Sequence, residues 1–107
     1  MTEFKEIEFP AEVKKRLLKA GGVPLTAMAA ESGDRSVFLI LSDDPMTGTG
    51  SVAFERHLSV SAKVNGRESR PTFGEIFRAV QATELDVDKA EFFSHSTSSV
   101  VHLFAKK

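Results

Sequence analysis

From Phe54 to Lys63 the chain alternates without a break. Phe54, Arg56, Leu58, Val60 and Ala62 fall on one side, and Glu55, His57, Ser59, Ser61 and Lys63 on the other. A period of two predicts a strand with one face on a core and the other toward water or a groove. One inserted residue would turn every later side chain over. The strict pattern therefore places His57, Ser59 and Ser61 together, opposite Leu58 and Val60, with no bulge between them.

The rest of the chain divides by the same logic. "FPAEVKKRLLKAGG" predicts a first helix. Pro10 suits its first turn, Glu12 complements the positive end of its dipole, and Val13, Leu17, Leu18 and Ala20 form its apolar stripe. Gly21 and Gly22 end it, because glycine readily takes the left-handed conformation used at helix C-termini. "VPLTAMAAES" and "RSVFLILS" read as two strands joined by a tight turn at Gly33-Asp34. Ser36 to Leu41 is an apolar run of the kind found in strands covered on both faces, so it belongs at the centre of the sheet. "DDPMTGTGS" and "NGRESRP" read as loops.

"TFGEIFRAVQAT" predicts a second helix. Thr72 and Glu75 make a capping box, and Phe73, Ile76, Phe77 and Val80 form an i, i+3, i+4, i+7 stripe. All four are expected to be buried against the sheet, with Leu39, Leu58 and Val60 as partners. "KAEFFSHS" and "SSVVHLFA" read as two closing strands. The order α-β-β-β-α-β-β predicts a single α+β domain over residues 1–107, with an antiparallel sheet of about five strands and both helices on one face.

Composition narrows the function. The 107 residues fit one domain. A formal net charge of -1 lacks the basic excess of a chain that coats nucleic acid, so nucleic acid is not the expected partner. The basic face of the first helix, within Lys14 to Lys19, is where an alternative reading would put it. There is no cysteine, which removes disulfides, thiolate zinc sites and cysteine nucleophiles. No apolar run approaches the ~20 residues of a membrane span, and the first residues lack a signal-peptide core. A cytoplasmic protein is expected, with no cofactor.

Three histidines carry the candidate chemistry: His57, His95 and His102. Two begin H-x-[Ser/Thr] triplets, His57 with Ser59 and His95 with Thr97. The pairing resembles the 2H phosphoesterases, which implies histidines acting as general base and acid with hydroxyls on the phosphate oxygens. Imidazole suits either role. The match fails in detail: the second triplet lacks apolar flanks, and the chain is about half the size that two-lobed fold needs. A zinc site would draw on the histidines with Asp43, Asp44 or Glu55, but no His-x-His pair and no helical i, i+4 pair occurs. No metal is expected. "TGTGS", Thr47 to Ser51, could cradle a phosphate, yet it lacks the Walker ending and leads into a strand, so it reads as a loop.

A longer resemblance runs from Arg56 to Phe104. "RHLSVS", "RPTFGEI" and a closing "VHLF" are similar to a small phage-associated domain of unknown function, whose pattern is R-H-L-S-[Ile/Val]-S, P-[Thr/Ser]-[Trp/Phe]-x-E-[Ile/Leu] and His-Leu-[Trp/Phe]. The resemblance implies a shared fold and a phage or prophage setting, and carries no activity. It also suggests a structural constellation, with His57 and His102 near each other on adjacent strands. The expected role is a non-enzymatic accessory module that binds a protein, with His57, Ser59, Ser61 and His102 as candidate binding residues. An edge strand could also pair two copies of the chain. A catalytic histidine needs a partner in hydrogen-bond reach and a cleft. The sequence offers little toward either, so His57 is expected to be non-catalytic.

Overall fold

A computed structural model describes residues 3–45, 54–86, 90–94 and 99–106, with the side chains of 44, 45, 54, 55, 90–94 and 106 left out. The Met46–Ala53 stretch, including "TGTGS", lies outside the described residues, as do His95 and Thr97. The elements are β1 (Lys5–Glu6), α1 (Ala11–Lys19), β2 (Val23–Ser32), β3 (Arg35–Pro45), β4 (Phe54–Val64), β5 (Arg67–Ser69), α2 (Phe73–Thr83), β6 (Ala90–Ser94) and β7 (Val101–Lys106). The strands form one antiparallel sheet in the order β1-β2-β3-β4-β7-β6. The α+β class and the order of the longer elements are those read from the sequence.

The turns explain the register. Ser32 pairs with Arg35, so Gly33-Asp34 alone closes the β2–β3 hairpin, with Gly33 at φ +62°. Val64 pairs with Arg67 across Asn65-Gly66, whose φ angles of 52° and 79° are both positive. Two positive φ angles belong to the hairpin turn that Asn-Gly favours. The segment expected to be a loop therefore holds a two-residue turn and the short strand β5. The pair β1 is a second addition, laid against Met28 and Ala29 of β2.

The long β3–β4 ladder runs from Arg35↔Val64 to Pro45↔Phe54 without a slip. Its parity sorts the side chains into two faces. One holds Val37, Leu39, Leu41, Leu58, Val60 and Ala62, all buried, and continues into Val101, Leu103 and Ala105 of β7. Ile76, Ala79 and Val80 of α2 complete this core, with Leu85 beyond the helix end. The run Ser36 to Leu41 is central as expected, between β2 and β4.

The stripe expected on α2 divides. Ile76 and Val80 are buried, whereas Phe73 and Phe77 are 76 % and 65 % exposed. The reason is the size of the side chains turned inward. Ala79 and Glu75, not the phenylalanines, accompany Ile76 and Val80 on the buried face. Glu75 is held there by Arg35 of β3, which donates from Nε to Oε2 at 2.6 Å and from a terminal nitrogen to Oε1 at 2.5 Å. A buried carboxylate must be paired, and satisfying it rotates the helix about its axis. Arg35 also donates to Ser69 Oγ and to the Arg70 carbonyl, so one guanidinium ties β3, the end of β5 and α2. The capping box is present: Glu75 N–H donates to Thr72 Oγ1 at 3.2 Å, and Thr72 N–H to Glu75 Oε1 at 2.8 Å.

The helices divide between the two faces, which corrects the expectation that both pack on one. α2 covers the Leu39 and Val60 face, whereas Leu17 of α1 is buried toward the opposite face, beside Ile40, Ser42 and His57. The end of α1 sets this. Gly21 takes φ +84°, and its N–H donates to the Leu18 carbonyl while Gly22 N–H donates to Leu17. This paired closure turns the chain sharply into β2. A side chain at Gly22 would be crowded, since a Cβ there would lie 3.0 Å from the Asp43 carbonyl and 3.1 Å from Leu17 Cδ2.

Candidate functional site

Ile40 and Ser42 of β3, His57 and Ser59 of β4 and His102 of β7 all project from the face that α2 leaves free. With α1 alongside, they enclose a groove of about 490 Å³. That size falls in the range of small-molecule sites. Val13, Leu17 and Ala20 form its helical wall, and Arg16 supplies its cation. None of the described residues lining it is acidic.

The register builds the centre of the site. His57 pairs with Phe104 and Ser59 with His102 across the β4–β7 ladder. His57 consequently lies flat on the Phe104 ring, with centroids 4.5 Å apart and planes 8° apart. It then reaches diagonally to its other neighbour: His57 Nε2 and His102 Nδ1 are 2.8 Å apart. One imidazole donates and the other accepts. Burial first, and then the charge His102 would carry, push the His57 pKa down to about 4. His57 is therefore neutral at pH 7.

With His57 neutral, its Nε2 either accepts from His102 Nδ1 or donates to it, according to the tautomer. The partner and the cleft that the sequence did not supply are thus both present. The distance decides what they can do. A base and an acid that flank a phosphodiester must stand on opposite sides of it, and imidazoles 2.8 Å apart leave no room for a phosphate between them.

The candidate residues fall out as follows. His57, Ser59 and His102 meet in the groove, and Ser61 shares their face but lies beyond it, paired with Phe38. Phe38 in turn lies 6.0 Å from the Lys63 ammonium. His95 and Thr97, the second triplet of the phosphoesterase reading, are outside the described residues. Among the described residues, no group of three metal-ligating side chains converges, and no helix is long and apolar enough to cross a membrane.

Sequence reasoning missed two features. One is the groove wall that α1 forms with Arg16, since the sequence offers the basic face of this helix only as an alternative nucleic-acid contact. The other is the exposed pair Phe73 and Phe77, one helical turn apart. The signal for the second was available: a stripe that also contains Ala79 and a capping-box glutamate is wider than a sheet can cover.

The residues that carry the resemblance are joined to one another or to the core. Arg56 Nε–H donates to Asp43 at 3.1 Å, His57 meets His102 and Phe104, and Thr72 and Glu75 close the helix cap. Compared with known proteins, the chain matches no family model, no curated protein and no solved structure.

Proposed function

We propose that this chain is a non-enzymatic module that binds a protein partner through the outer face of α2. One observation carries the reading: Phe73 and Phe77 stand largely in water, one turn apart on the same helix. Exposed phenylalanines at i and i+4 are the anchors by which a helix lies in a partner's groove. Burying a phenylalanine is worth about 1.5–3 kcal/mol, so the pair can contribute about 3–6 kcal/mol to binding. The phosphoesterase alternative needs His95 and Thr97 opposite His57, and both lie outside the described residues. The likeness of Arg56 to Phe104 to a phage-associated domain supports placing the module among phage or prophage accessory factors acting in the host cytoplasm.

Capture with the tagged chain from infected cells tests the proposal. A Phe73→Ser, Phe77→Ser double variant should lose a defined protein that the wild type retains, with its melting temperature unchanged. Leu18→Ser, which alters an exposed leucine of α1, should retain that protein. Equal retention by the double variant refutes the role of α2.

A further inference from the structure

The groove has a chemical bias of its own, independent of the α2 surface. Its polar equipment is one guanidinium, two hydroxyls and the joined His57–His102 pair. Arg16 forms no ion pair with a described side chain. The walls between these groups are aliphatic, from Val13, Leu17, Ile40 and Val100. A ligand matching this surface carries one negative charge on a hydrocarbon body. We infer that the groove between α1 and the histidine face binds a small carboxylic acid with an aliphatic chain.

The argument for a carboxylate rests on complementarity. A guanidinium and a carboxylate match as planar forks, and charge-assisted bonds of this kind are about twice as strong as neutral ones. Ser42 and Ser59 can each donate one further hydrogen bond. A single cation neutralises a single charge, so a dianionic phosphate would leave charge uncompensated in a largely apolar cleft. A free acid is favoured over a chain terminus because the volume is that of a small-molecule site.

Octanoate is the probe, titrated into the full chain and followed by amide chemical shifts. Octanamide and octylammonium serve as neutral and cationic analogues, and a peptide ending in leucine as the rival source of carboxylate. Octanoate should shift the amides of Arg16, Leu17, Ser59 and His102, with a Kd of about 1 mM or tighter. Octanamide and the Arg16→Gln variant should each weaken binding by roughly tenfold to a hundredfold. Arg16→Lys should recover part of the loss. Arg16 is exposed, so these variants leave the fold intact. Equal affinity for octanoate and octanamide, a preference for octylammonium, tighter binding of the peptide, or no shift at the groove would each overturn the inference. Loss of protein capture through α2 would leave it standing.

Discussion

Replacing Glu75 by glutamine tests the tie between α2 and the sheet. The carboxylate is 2 % exposed and accepts two bonds from Arg35 and one from the Thr72 N–H. Glutamine keeps the volume but turns an NH2 toward the guanidinium, so one bond is replaced by a donor facing a donor. Breaking a buried ion pair by removing one partner costs about 3–5 kcal/mol. Arg35 keeps 25 % of its side chain in solvent and retains Ser69 and Arg70 as acceptors, which offsets part of the penalty. The expected loss is about 2–3 kcal/mol at pH 7, or roughly 8–12 °C in Tm for a domain of this size. The pH dependence supplies a second readout. The Arg35 hydrogen bonds hold the Glu75 carboxyl below its ordinary value near 4.5. Its stabilisation is therefore complete above that value and is lost as pH falls through the lower folded pKa. In urea melts, the gap between wild type and Glu75→Gln should be full at pH 7 and shrink at acid pH. A gap under about 1 kcal/mol at pH 7, or one unchanged on acidification, would refute the reasoning.

Other outcomes follow from the same contacts. Ile76→Ala should cost about 2–4 kcal/mol in urea melts and Phe77→Ala less than about 1, and a reversed order would mean that α2 is rotated. Between pH 6.5 and 4 the unfolded chain protonates at position 57 while the folded chain does not, so the protein should lose stability as pH falls through that window. His57→Gln should flatten this slope, and a His57 imidazole titrating near 6.5 by NMR would contradict it. Glu84 closes α2 in the left-handed conformation at φ 54°. Glu84→Gly should raise stability by about 0.5–1 kcal/mol, with the thermal midpoint as the check.

The parts of the molecule that the sequence made legible are those that local chemistry decides. Alternation from Phe54 to Lys63 placed His57, Ser59 and Ser61 on one face, because β3 and β4 pair without a bulge. The Thr72–Glu75 box marked the start of α2. The adjacency of His57 and His102 was suggested only through resemblance, since the pairing of β4 with β7 is a long-range choice that periodicity does not encode. The orientation of α2 was misread because Glu75 was assigned to capping alone. Its bond to Arg35, 40 residues away, brings the carboxylate inside and leaves Phe73 and Phe77 in water. The groove was hidden for a similar reason: which face α1 covers depends on the tight reversal at Gly21 and Gly22 and not on the apolar stripe of the helix itself.

The two-residue turns at Gly33-Asp34 and Asn65-Gly66 have a consequence for how the chain folds. They make β2 through β5 a meander whose partners are neighbours in sequence, so little loop-closure entropy opposes its assembly. Along one edge of β4, β5 occupies Ala62 to Val64, and β7 arrives from far downstream to occupy Glu55 to Val60. The meander should therefore form early and the β7 edge late. Substitutions in β3 should then slow folding, whereas those in β7 should mainly speed unfolding. Equal effects on both rates from Leu39→Ala and Leu103→Ala would argue against this order. On this account the two imidazoles, 45 residues apart in sequence, come together only in the closing step. The groove would then be the first part of the fold to open and the last to be rebuilt.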